Sequence, residues 1–119
     1  MKYLLLLHAP DGPVTDTSSP AYAEAVAAYG KANAAMAAAG VLLDCAPLRP
    51  PASSTTVRVR DGRTIVTDGP AAEIKEQVGG YTLLECDDLD EALRWAATIP
   101  AAATGWVEVR PVMPVSPAS

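Results

Sequence analysis

A chain of 119 residues has room for one domain and one core, taken as residues 1–112 followed by a loose tail at 113–119. Half of the residues are hydrophobic, much of that share is alanine and phenylalanine is absent, so an aliphatic core of modest stability is expected. The formal net charge of −5, with lysines and arginines scattered, excludes the basic stripe that neutralises phosphates and argues against a nucleic-acid partner.

The elements follow in order. Lys2 to Leu7 is apolar at nearly every position and reads as a central strand buried on both faces, ending at His8. The run is too short for a signal peptide, and His8, Asp11 and a proline-rich turn interrupt it. No segment approaches a membrane span, so no membrane partner and a cytoplasmic location are expected. Ser19-Pro20 opens a helix, Ser as N-cap and Pro at the first helical position. Its face is Tyr22, Val26, Tyr29, Asn33 and Met36. Gly40 is the expected stop, and Gly30 is expected to let this helix lie close to a sheet.

Val41 to Leu48 reads as a second strand, closed by Arg49-Pro50-Pro51. Thr55 to Arg60 and Arg63 to Val66 flank Asp61-Gly62, a strong hairpin turn. Tyr81 to Cys86 reads as another strand. Asp88 opens the last helix, with Glu91 in a capping-box arrangement and Leu89, Ala92, Leu93 and Ala96 as its apolar stripe. Gly105 to Arg110 is the final strand. Cys45 and Cys86 have neither metal-ligand nor disulfide-framework spacing and read as buried free thiols.

Between the hairpin and the strand from Tyr81 lies the stretch with the most polar chemistry, Thr67 to Tyr81. Asp68-Gly69-Pro70 is a turn with a mechanism. Gly79-Gly80 permits a sharp bend or a close approach of backbone. For 71–78, helix and extended chain both fit the residues. From residue types alone, the stretch is either a site carried on irregular backbone or a solvated linker.

His8 is the sole histidine and has the one side chain whose ordinary pKa lies near neutrality. At the end of a central strand it is placed to face the sheet–helix cleft as acid or base, or else simply to bond a backbone carbonyl. Asp68 is the candidate orienting carboxylate, or simply the turn-former. Arg49, Glu73, Lys75, Tyr22 and Tyr81 are candidates for lining a substrate pocket. Glu73 and Lys75 also fit a solvated ion pair. No HExxH, CxxC, P-loop, GxGxxG or nucleophile elbow occurs, and neither a metal nor another cofactor is expected.

The blocks DGPxxExKEQxGGYxL from Asp68, DDLDEALxWAxxIP from Asp87 and VEVRPV from Val107 occur in this order. In them the chain, from about Gly40 to Val112, resembles the YCII-related family and within it the DGPF-domain proteins. Ala71 stands where that family usually has Phe, which widens any pocket beside Asp68. The resemblance implies a ferredoxin-like fold, a dimer and a His–Asp pair, here His8 with Asp68. The order of the elements agrees: α+β, a ferredoxin-like βαβ-βαβ sandwich with an inserted β-hairpin, its bare sheet face covered in a homodimer.

The functional expectation is a cofactor-independent acid–base enzyme, of isomerase or lyase type, acting on a small organic molecule. Arg49 or Lys75 would steady an anionic substrate. The alternative is a non-catalytic ligand-binding or regulatory protein. DGPF-type genes often lie beside genes for extracytoplasmic-function sigma factors, so the resemblance implies a signalling context for that alternative. In a third reading the charged stretch is purely structural in a dimeric protein.

Overall fold

The computed structural model describes residues 1–9, 16–71 and 77–115. The elements are β1 (Lys2–Ala9), α1 (Pro20–Ala38), β2 (Leu42–Pro47), a 3-10 turn (Pro51–Ser53), β3 (Thr55–Arg60), β4 (Arg63–Asp68), β5 (Gln77–Glu85), α2 (Leu89–Ala96), α3 (Ala101–Thr104) and β6 (Trp106–Pro111). Four strands form one antiparallel sheet in the order β2-β5-β1-β6, and β3 with β4 forms a separate two-stranded sheet. With the hairpin set aside, that order is the ferredoxin-like one.

β1 is central because it is hydrogen-bonded on both edges, to β5 and to β6. Its alternation decides which face is covered. Tyr3, Leu5 and Leu7 join one buried cluster with Ala32 and Met36 of α1, Ala92 and Ala96 of α2, Ile99, and Ala101 of α3. Leu4, Leu6 and His8 point the other way and are half-buried. The strand is therefore buried on one face, not on two. All three helices pack against the Tyr3–Leu5–Leu7 side, and the opposite face carries no helix among the described residues.

The helix signals act as their chemistry dictates. The Ser19 hydroxyl accepts the Tyr22 amide at 3.1 Å, Pro20 sits at the first helical position, and Gly40 ends α1 with φ of +76°. The stripe of α1 departs from expectation at Val26, which is 53% exposed. The buried positions are Ala32 and Met36, with Tyr29 packed against the same cluster. Gly30 is not a packing notch: a Cβ there would meet nothing within 4 Å.

At α2 the Asp88 carboxylate accepts the Glu91 amide at 2.9 Å, and Glu91 reaches back to the Asp87 amide at 2.8 Å. Leu89 and Leu93 are both 46% exposed, so the inward face is Ala92, Ala96 and the partly buried Trp95. This rotation follows from Ile99 and Ala101, which continue the buried surface past the end of α2. Cys86 is buried and Cys45 half-buried, and both are free thiols. Burial first, then the nearby Glu91 charge, pushes the Cys86 thiol up, which keeps it unreactive.

β5 begins at Gln77, four residues before the strand expected from Tyr81, and Gly79-Gly80 lies inside it. The glycines allow two things. β1 and β5 slip register between Leu7 and His8, where Leu7 faces Gly80 and His8 faces Val78. Gly79 is thus the extra residue of a β-bulge. At Gly80 the next strand comes so close that a Cβ would lie 3.0 Å from the Ala46 carbonyl oxygen. The two glycines with room and without it predict opposite outcomes in urea unfolding. Gly30→Ala should stabilise the protein by about 0.5–1 kcal/mol, whereas Gly80→Ala should destabilise it by about 1–3 kcal/mol as β2 is forced outward.

Candidate functional site

One end of the four-stranded sheet gathers the polar chemistry. It holds the end of β1, the start of β5, the end of β2 and the start of β6. His8 lies there, opposite Val78 on one side and Trp106 on the other. Because Tyr3, Leu5 and Leu7 face the helices, His8 faces the helix-free side of the sheet and not the sheet–helix cleft. The imidazole stacks on the Trp106 indole with ring centroids 5.3 Å apart and an interplanar angle of 15°. Both ring nitrogens, Nδ1 and Nε2, are buried and have no hydrogen-bond partner among the described residues. An orphaned buried polar group costs free energy, and native structures keep such groups where they serve.

Val78 connects this histidine to a groove of about 430 Å³ lined also by Leu48, Arg49, the Pro50–Pro51 pair, Ser53 and Ser54. The groove is held at two points. The Leu48 amide donates to the Gly79 carbonyl at 2.9 Å, and the Gly69 amide to the Ser54 carbonyl at 2.7 Å. Thr56 Oγ1 donates to the Gly69 carbonyl at 2.7 Å, tying the base of the hairpin to the same wall. Arg49 is exposed and forms no ion pair among the described residues. The groove offers a cation, two serine hydroxyls and apolar walls, with His8 across from its Val78, which suits a small anion with an apolar body.

The other candidates are dispersed. Asp68 is the exposed last residue of β4, on the two-stranded sheet, and does not hydrogen-bond to His8. Ala71 is exposed. Glu73 and Lys75 lie outside the described residues, as does the choice between helix and extended chain for 72–76; Gln77 and Val78 are strand. Tyr22 is half-buried in the first turn of α1, its amide engaged by the N-cap. Tyr81 stands on the same sheet face as His8, opposite Leu6, and its hydroxyl donates to Asp44 Oδ2 at 2.8 Å. Among the described residues no group of three or more His, Cys, Asp or Glu is placed to hold a metal ion. No helix among them is long and apolar enough to cross a membrane.

Sequence reasoning passed over Trp106, Ser53, Ser54 and Asp44. Trp106 was legible in principle. A ferredoxin-like order pairs the last strand antiparallel to the first, so the start of β6 must meet the end of β1, where His8 lies. The serines gave no periodic signal, because they belong to a short turn whose position depends on the hairpin base.

Comparison with known proteins bears on this arrangement. The family model described as the YCII-related domain matches residues 1–116. The chain belongs to the YCII-related family. A relative from Rhizobium meliloti (strain 1021), named uncharacterized protein R00369, is 47% identical over 76 residues, covering 62% of this chain and 61% of the relative. That match spans about three fifths of the relative's length, and the relative's name assigns no activity.

Tyr81 supplies a local test of the YCII-related fold's open face. Its phenol is pushed up from the ordinary value near 10, first by the hydrogen bond to Asp44, then by burial and by the Asp44 charge. A raised phenol favours the fold fully below the ordinary tyrosine value, and that contribution is lost as pH climbs through the raised one. Asp44→Ala should therefore bring one tyrosine down to lower pH in an ultraviolet tyrosinate titration. A titration unchanged by the substitution would show that the bond is not formed in solution.

Proposed function

We propose that this YCII-related protein is an acid–base enzyme of isomerase or lyase type that acts on a small organic anion and works as a homodimer in the cytoplasm. The observation that carries the reading is the imidazole of His8, whose two buried nitrogens have no partner among the described residues, one strand position across from Val78 of the Arg49 groove. His8 is the group that moves the proton, imidazole being the side chain that most often serves as general acid and base. Arg49 holds the anionic end of the substrate, by a fork that matches a carboxylate. Asp68 serves as the orienting carboxylate and closes on His8 with substrate, since catalytic hydrogen bonds often tighten only in the substrate complex. Tyr81, Tyr22, Glu73 and Lys75 complete the substrate-binding set. The homodimer follows from the helix-free sheet face, where Leu4, Leu6 and Leu83 present apolar surface that a second sheet would cover.

The experiment is a thermal-stability screen with small carboxylates, since a ligand that binds only the folded chain raises Tm, followed by NMR of the mixture to detect conversion. A stabilising carboxylate should be turned over. His8→Gln should lower kcat by about 10²–10⁴-fold while keeping the ligand-induced rise in Tm, and Arg49→Ala should lose that rise. A ligand that binds and is never converted would favour the non-catalytic, regulatory reading. Turnover that survives His8→Gln would overturn the role of His8.

A further inference from the structure

A hydrogen bond to one ring nitrogen is what ordinarily fixes a functional imidazole, because rotation about the bond to the ring has only broad, two-fold preferences of its own. For His8 no described residue supplies that bond at either nitrogen, and in the reading above Asp68 closes only with substrate. What the described residues do supply is a flat partner. The Trp106 indole lies 5.3 Å from the imidazole, centroid to centroid, and within 15° of its plane. Stacked rings at such a separation attract one another, and the contact sets the ring angle that a hydrogen bond would otherwise set.

The indole is itself held in place. Trp106 opens β6 directly across from His8. The preceding Gly105 amide donates to the Ala101 carbonyl at 2.8 Å, and the following Val107 packs against the core with Val109. Strand parity therefore sends Trp106 to the helix-free face, the face of His8. Core stability does not account for the ring there, since it is 44% exposed and lies outside the buried cluster. Val78, His8 and Trp106 form one row across β5, β1 and β6, with neighbouring strands ~4.8 Å apart. The indole occupies the β6 side of the imidazole. The Arg49 groove, through Val78, lies on the β5 side.

We propose that Trp106 is a positioning residue for His8: its indole, in place of a hydrogen-bonding carboxylate, fixes the imidazole plane in the free protein and closes its β6 side, so that a ligand meets the ring from the side of the Arg49 groove. This rests on the reading of His8 as the group that moves the proton. It gives that site its preorganisation, since a functional side chain is held in productive geometry only when its neighbours lock its rotamer.

His8 is the sole histidine. Its ring C–H protons in NMR, and its reaction with diethyl pyrocarbonate, which acylates an accessible imidazole nitrogen, therefore each report on one residue. In the wild type the indole ring current should move those protons upfield of a free histidine, and acylation should be several-fold slower than in a histidine peptide. Trp106→Phe keeps a flat ring and should preserve both. Trp106→Leu keeps apolar bulk without a plane. It should lose the upfield shift and be acylated several-fold faster, with circular dichroism as the check on folding. With a substrate from the carboxylate screen it should also lower kcat by on the order of ten- to a hundredfold while leaving KM nearly unchanged. If Phe and Leu behave alike, the proposal is overturned, because flatness of the ring would then not matter. Wild-type ring protons at the positions of a free histidine would overturn it without recourse to any variant. A stack upheld by shift and acylation, in a protein that converts no carboxylate or whose turnover survives His8→Gln, would overturn the enzyme reading instead and leave the orienting contact standing.

Discussion

Two-sided hydrogen bonding of β1 is the constraint on which this molecule depends. A strand bonded along both edges cannot rotate, so each of its side chains is committed to one face. Tyr3, Leu5 and Leu7 are committed to the helices and draw α1, α2 and α3 to one side. His8 is committed by the same parity to the other side, beside Trp106. The position of the candidate site follows from the core, since the residue after Leu7 must face away from it. The chain's amino end is fixed in the same way. The Met1 ammonium donates to the Cys86 carbonyl at 2.9 Å and pairs with Glu85 at 2.6 Å, closing β1 onto the end of β5.

Most of the fold was legible because the deciding interactions are local. Ser19-Pro20, Gly40, Asp61-Gly62 and the Asp88–Glu91 cap act within a few residues of their own position, and each works as its chemistry says. The faces of the alanine-rich helices were not legible. Alanine at almost any position fits a sheet, so Val26, Leu89 and Leu93 read as inward and are turned outward once Met36, Trp95 and Ile99 claim the core. The start of β5 was missed because glycine carries little strand propensity, and its place in this strand is set by the backbone of β2.

The candidate site was legible in part for the same reason. His8 and Arg49 announce themselves by residue type, and both lie at one end of the sheet. Their surroundings do not. Trp106 reaches His8 across nearly the whole length of the chain, and Ser53 and Ser54 reach the groove through a turn anchored by Gly69. Long-range placement of this kind depends on topology, which residue types alone express weakly. The Asp44–Tyr81 bond is another case, joining β2 and β5 across the open face.

The bulge at Gly79 has a consequence for how such a chain can change length over time. Side chains in a strand follow an odd–even rule, and one extra residue reverses it. Val78 and Tyr81 are three positions apart and would stand on opposite faces of a regular strand, yet they share one. Gly79 is in effect a parity switch. A residue gained or lost at 79 or 80 would turn Val78 over to the helix side and part His8 from the Arg49 groove. The glycine pair is therefore held to a fixed count, since the bulge between Leu7 and His8 sets which face Val78 takes.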